Sequence, residues 1–401
     1  MINNYMFVYI VTRTSPNYTL IPQTDGAIID ACRHLFEKVH HIKVGVDKAR
    51  DSAFLLQLAH HNQRGEEYLV FDTNGKSNFE IHGKKFIRNR LSYISDAPFS
   101  IWPFINRMDR RAIITYSDKG HRQFLDDVGY NKPSFFMPHG GPELEAADRD
   151  FVKRDIDLLV IGRIQNPQSL DDIIACLGHS SFLLRKILSQ AFEKALYENV
   201  EPYIALKNIC HENGLDILEL LPQDELFILL NSFSEWLEMT NRNKLLQNLK
   251  DVKIDFIGPA RDDVTGVTDM GHNFHGTQYG EASIKYIRRA KVVLNSVSVF
   301  PGGSHERIWF AMAHGAAVFT DYSHFVAETF KDEENILFID NSNHAASVDK
   351  LRNAMEYKDK LACIAEKSNA IYAGHHTWGE RLKGVMPKVI NVIATDSFEI
   401  L

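Results

Sequence analysis

Positive charge, paired cysteines and long apolar runs are scarce in this sequence, and each shortage excludes a class of protein. Over 401 residues, 45 Lys and Arg stand against 52 Asp and Glu, a formal net charge of -7. Such a chain has no general electrostatic grip on nucleic acid, which needs a basic face, although a local patch stays open. The four cysteines, Cys32, Cys176, Cys210 and Cys363, lie far apart and form no CxxC pair. They read as buried thiols or bystanders in a reduced cytoplasm. No segment approaches about 18 unbroken apolar residues, so no membrane span is expected. The N-terminal "MINNYMFVYIVTRTSP" has no cationic region and too short an apolar run for a signal peptide. Acidic metal-ligand patterns are also weak: Asp262 and Asp263 stand in a loop-like "RDDV", and Asp332, Glu333 and Glu334 read as a solvated face. No metal and no cofactor are expected.

What the chain does contain is ordinary globular material, 44% hydrophobic and 24% charged, in a length that favours two domains. Short, largely buried strands are predicted at "YMFVYIV", "KVHHIKVGV", "EEYLVFDT", "LSYISDAP", "RAIITYS" and "PSFFMPHG", several separated by helix-length segments such as "DGAIIDACRHLFEKV". A second series runs through "DIDLLVIGRI", "VKIDFIGP", "KVVLNSVSV", "AAVFTD" and "NILFID". The alternation predicts two α/β domains, each with a parallel sheet covered by helices. Between Asp171 and Leu249 the pattern is almost wholly helical, an insertion early in the second domain. Pro138 to Asp150, where proline, glycine and acidic residues replace the apolar pattern, reads as the linker.

Ligands of open parallel sheets bind outside the carboxyl ends of the strands, so strand-end residues carry the search. "TDGAIIDACRHLF" sets Asp25 and Gly26 just before a helix, as an anion site or as a plain cap and turn. Asp96 in "YISDAP" reads equally as an Asx turn or a proton acceptor. His139 stands beside two glycines in "FFMPHGG" and reads equally as a structural histidine or as a site residue where backbone can approach a ligand. Arg163 follows Gly162 at the end of "LLVIGR", suited to a diphosphate or to a surface ion pair. The densest signal is "VFPGGSHERIWFAMAHGAAVFTD": Gly302 and Gly303 permit close approach, Ser304 is a candidate helix cap, and the first-turn N–H groups can hold phosphate oxygens. There Glu306 can accept hydrogen bonds from a ribose diol and Arg307 can offset phosphate charge, or the two can serve only the helix. Phe300, Trp309 and Phe310 read as packing, and Gly315 as the helix end.

"NSVSVFPGGSHERIWFAMAHGAAVFTDYSHF" followed by "FKDEENILFID" resembles the C-terminal half of group-1-type glycosyltransferases, and most closely their CgeB-like, or spore-maturation-like, branch. "ISDAPF", "ITYSDKGHRQFL", "FFMPHGG", "LLVIGR", "IDFIGPA" and "HNFHGTQYGEASIKYIRRAKVVLN" carry fainter echoes. The resemblance implies a GT-B architecture of two Rossmann-like domains facing a cleft. Its divisions would be 1–140 on the acceptor side, 141–380 on the nucleotide-sugar side with an insert at about 170–245, and a final helix in 381–401 crossing back. It assigns Arg163, Gly303, Ser304, His305, Glu306 and Arg307 to the donor diphosphate and ribose, and places His275 and Gly276 near the base. Asp25 and Gly26 join the donor-binding set from the first domain, while Asp96 and His139 are the catalytic candidates on the acceptor side. Two departures stand out. The two glutamates that many retaining relatives carry with seven residues between them are here Gly302 and Phe310, and the lysine that often follows the "GR" strand is missing from "IQNPQ".

The expected function is metal-independent transfer of a sugar from a nucleotide-diphosphate sugar to an acceptor glycan, protein or small molecule. A non-catalytic carbohydrate- or nucleotide-binding module of the same fold is the alternative, and a nucleotide-sugar epimerase a third reading.

Overall fold

The computed structural model describes residues 6–13, 20–45, 48–75, 80–81, 84–85, 87–144, 151–176, 182–259 and 271–398. The chain divides into two compact units, Met1–Glu143 with His375–Leu401, and Leu144–Gly374.

The first unit is built on strands β1 (Phe7–Arg13), β2 (Lys38–Val44), β3 (Tyr68–Thr73), β4 (Arg90–Ile94), β5 (Ala112–Tyr116) and β6 (Ser134–Phe136). They form one parallel sheet in the order β2-β1-β3-β4-β5-β6. The apolar runs of β3, β4 and β5 are buried almost throughout, as a sheet covered on both faces requires. β2 departs from its predicted burial: it is an edge strand, mostly exposed apart from Val44. Helices α1 (Ile21–Leu35), α2 (Lys48–Arg64) and α3 (His121–Asp127) connect the strands. A small antiparallel ribbon, Glu80–Ile81 with Lys84–Lys85, is an addition the strand pattern did not predict.

The second unit has strands β7 (Ile156–Ile161), β8 (Ile254–Ile257), β9 (Asn273–Phe274), β10 (Ala290–Asn295), β11 (Ala317–Asp321) and β12 (Leu337–Ile339). Its sheet is also parallel, ordered β9-β8-β7-β10-β11-β12. Between β7 and β8 stands the expected helical insert: α4 (Leu170–Cys176), α5 (Phe182–Tyr197), α6 (Pro202–Glu212), α7 (Ile217–Leu220) and the long α8 (Gln223–Asn248). Helices α9 (Glu281–Arg289), α10 (Glu306–Ala313), α11 (His344–Glu356) and α12 (Lys358–His375) complete the unit's helices of eight residues or more. The end of α8 packs Leu245 and Leu246 into the same core as Leu158, Val160, Val292 and Phe319, so the insert is anchored in the domain rather than hung from it.

The final helix, α13 (Trp378–Thr395), buries Trp378, Leu382, Met386 and Val389 with Ile28 and Cys32 of α1 and Leu91 of β4 in the first unit's core. The observed boundaries, 143 and 375, differ from the predicted 140 and 380 by a few residues. Gly141 forms a parallel bridge with Thr377, and Trp378 N donates to Gly141 O at 2.8 Å, which knits both chain crossings into the first unit. Residues 145–150 of the predicted linker lie outside the described residues. Cys32 and Cys210 are buried as expected, whereas Cys363 is exposed. Among the described residues no helix is long and apolar enough to cross a membrane.

Candidate active site

The second unit gathers its polar residues at the carboxyl ends of β7, β10 and β11. After β10 the chain turns through Pro301 and Gly303 and enters α10 at Glu306. The cap of α10 is His305, not Ser304: His305 Nδ1 accepts from Arg307 N at 3.4 Å. Ser304 is one residue too early for that role, and its buried hydroxyl accepts instead from Trp309 Nε1 at 3.0 Å. Ser323 Oγ donates to Gly303 O at 2.6 Å, tying the turn to the end of β11. Trp309 and Phe310 are buried packing residues, and Gly315, at φ +71°, supplies the left-handed residue beyond the helix.

Arg307 leaves the first turn of α10 and reaches the end of β7. A Cβ added at Gly162 would lie 3.5 Å from its guanidinium carbon. The ends of β7 and β8 also approach closely, since a Cβ at Gly258, φ +140°, would meet Gly162 O at 2.2 Å. Only glycine satisfies both that contact and that backbone angle. Desolvation, with the charge of nearby Arg242 added, pushes the Arg307 guanidinium down to about 10. The Glu306 and Glu238 carboxylates act on Arg307 in the opposite direction, so it is the half-buried Arg307 guanidinium, rather than the fully engaged Arg242, that can meet an anion.

Arg242 is a residue the sequence reading missed. It lies in α8, is 3% exposed, and donates to Arg163 O at 2.9 Å, to Ser296 O and to Glu238. Its neighbour Asn241, fully buried, donates from Nδ2 to Ser298 Oγ at 2.7 Å, Asp321 Oδ1 at 3.1 Å and Asn341 Oδ1 at 3.0 Å. His344 Nε2 lies 2.8 Å from Asn241 Oδ1. Burial pushes the Asp321 carboxyl up to about 6. Arg163 is exposed and paired with Glu235 of α8 at 2.7 Å, the surface ion pair that was one of its two readings. His275 Nε2 is 2.5 Å from Asp255 Oδ1, with its ring beside Tyr286, so its side chain is engaged on the β8–β9 edge. Gly276, φ +66°, leaves open space at its α-carbon, and its carbonyl accepts from Gly258 N at 2.9 Å. A cavity of about 330 Å³ lies at the β12 edge between Tyr197, Tyr322 and Phe338, and shares only Asn341 with this network.

In the first unit, Asp25 and Gly26 are inside α1 rather than before it. The helix begins at Ile21 because Pro22 fits a first turn, so their backbone N–H groups are not the free ones of a helix N-terminus. Asp96 is exposed beyond β4, and Asn74 Nδ2 donates to its Oδ2 at 2.8 Å. Asn74 holds a left-handed φ of +58° and also accepts from Ser95 N at 2.8 Å, so it fixes the strand-end loop. His139 follows β6, is 4% exposed and meets the Tyr93 ring edge-on at 5.8 Å. Its carbonyl accepts from Arg381 Nε at 3.1 Å. Asp118, His121 and His376 are also buried at this end of the unit and were missed, since isolated polar letters carry no period. His376 Nδ1 is 2.7 Å from Arg381 Nη2. Burial and the Arg381 charge push His376 down to about 2, and burial pushes His121 down to about 3, so both rings are neutral. Among the described residues no three His, Cys, Asp or Glu side chains converge as metal ligands do, and Asp262 and Asp263 lie outside them.

Solved structures match nearly the whole chain, among them the following three. The Anabaena protein HepE in complex with UDP and glucose is 12% identical, covers 97% of this chain and 100% of its own, and has a TM-score of 0.51. The same protein in complex with UDP-glucose gives 12%, 98%, 100% and 0.50. Sucrose-phosphate synthase from Thermosynechococcus elongatus gives 8%, 97%, 100% and 0.51. The fold is GT-B. Residues 242–386 of this GT-B chain match a family model described as glycosyl transferase-like. That match begins at Arg242, so most of the helical insert lies outside it. No curated protein matches significantly.

Proposed function

We propose that the chain is a nucleotide-sugar-dependent glycosyltransferase. The observation that carries this reading is the carboxyl-end turn of the second unit, where Arg307 of α10, inside the segment that matches the glycosyl transferase-like model, reaches Gly162 at the end of β7. The first-turn N–H groups and Arg307 bind the diphosphate, and Glu306 accepts hydrogen bonds from the ribose hydroxyls. Gly303, Ser304 and His305 shape that turn; Gly276 leaves room for the base beside His275. In transfer, the bond between the anomeric carbon and the diphosphate oxygen breaks and a bond to the acceptor oxygen forms. The charge on the departing diphosphate is stabilised by groups already in place. For an inverting reaction the acceptor proton passes to Asp96, the exposed candidate, while His139 is buried against Tyr93.

The order Gly303, His305, Glu306, Arg307, Gly315, Thr320 and Asp321 supports placement in the CgeB-like branch. The acceptor is a glycan, protein or small molecule, the reaction needs neither metal nor cofactor, and the compartment is the cytoplasm. A panel of UDP- and GDP-sugars, read as released nucleotide, tests the reading. One donor class is expected to be turned over, with activity surviving EDTA. Binding without release across the panel would favour a non-catalytic module, and loss restored by manganese would overturn metal independence.

A further inference from the structure

The insert's long helix α8 turns Glu235, Glu238, Asn241 and Arg242 towards the carboxyl ends of the second sheet, as residues three and four apart on a helix share a side. Glu235 holds Arg163, Arg242 holds the Arg163 and Ser296 carbonyls, and Asn241 holds Ser298 and Asp321. Glu235 and Glu238 both present a guanidinium-held carboxylate, Glu235 at 39% exposure beside the exposed Arg163 and Glu238 beside the buried Arg242. Glu238 Oε1 accepts from Arg242, its side chain keeps 22% exposure, and its charge acts on both Arg307 and Asp321. It is a carboxylate fixed by a buried guanidinium, partly accessible, and close enough for its charge to act on Arg307.

We infer that Glu238 is a specificity-determining residue for the donor, accepting hydrogen bonds from hydroxyls of the transferred sugar. The inference rests on the glycosyltransferase reading. An ionised carboxylate offers only acceptors, so it needs a donor-rich partner and repels phosphate. The diphosphate is drawn to Arg307 and the α10 N-terminus, and the ribose diol is taken by Glu306. The sugar is the remaining hydroxyl-bearing part of the donor. The insert thereby becomes a wall of the donor site and supplies a carboxylate that neither Gly302 nor Phe310 can.

The test is Glu238→Gln in the full chain, with UDP and the turned-over nucleotide-sugar titrated separately and KM and kcat measured. Loss of a charge-assisted acceptor should raise the nucleotide-sugar KM about tenfold or more. The affinity for UDP, or for the matching nucleoside diphosphate, should stay the same or tighten as a negative charge leaves. A merely structural role, exerted through Arg242, would weaken both ligands alike. Equal weakening, or no change in either, overturns the inference. Should Glu238→Gln not fold, Glu238→Asp keeps the charge at a shorter reach and is expected to show the same split; failure to split there is equally contrary. Wild-type protein that binds no nucleotide overturns the glycosyltransferase reading itself, which separates the two failures.

Discussion

Glu306 and Asp25 show how one residue type serves different ends at different places in a helix. Glu306 opens α10, with Oε2 3.5 Å from His305 Nδ1, where a carboxylate complements the helix dipole and can still meet a ligand. Asp25 sits in the second turn of α1, where burial, opposed by Lys43, pushes its carboxyl up to about 7. The unfolded value is about 3.9, so the folded state binds this proton more tightly. The resulting stability is fully present below about pH 4 and is lost as pH rises through 7. Asp25→Asn keeps the shape and removes the titration. Its melting temperature is expected to gain on the native protein steadily between pH 4 and 7; a difference constant with pH would contradict the buried carboxyl. His376 and His121 act with the opposite sign. Their depressed values give stability that is present above about pH 6.5 and lost as acid approaches 3 and then 2.

At the scale of elements, α13 carries the clearest energetic statement. Trp378, 1% exposed, meets Tyr93 edge-on at 5.1 Å and packs into the first unit's core from the far end of the chain. Trp378→Ala is expected to cost about 3–5 kcal/mol in urea unfolding; a loss below about 1 kcal/mol would contradict docking of α13 in that core. Much of this level was legible in the sequence. Apolar runs such as "YLVFDT" and "AIITY" became central strands because a sheet covered on both faces needs unbroken burial. The helical insert was equally plain from its lack of glycine and proline. α1 starts at Ile21, four residues ahead of Asp25, because Pro22 fits its first turn. β9, two residues long, is too short for any periodicity to register. The turn before α10 was found because glycines, a histidine and charges cluster there in order. Arg242, Asn241 and Asn74 were not, because each acts through partners distant in sequence: Arg163 and Ser296, Asp321 and Asn341, and Asp96.

At the scale of the whole molecule, the proposed mechanism gives donor binding to the second unit and, for an inverting reaction, proton transfer to the first. Each unit places its assigned residues at the carboxyl ends of a parallel sheet, the position that connecting loops and helix N-termini share. This division makes binding and turnover separable by mutation. The most direct measurement is titration of nucleoside diphosphates into the native protein, Glu306→Gln and Asp96→Asn, followed by thermal stability and calorimetry. One diphosphate should stabilise the native protein by about 2.7 kcal/mol at 100 times its Kd. Glu306→Gln should weaken that binding by about 1.5–3 kcal/mol, roughly 10- to 150-fold, with little change in ligand-free melting. For an inverting enzyme, Asp96→Asn should bind like the native protein and fail in turnover. Native affinity in Glu306→Gln, with only the 0.3–1 kcal/mol loss of stability expected from a helix-dipole role, would contradict the donor site and with it the account.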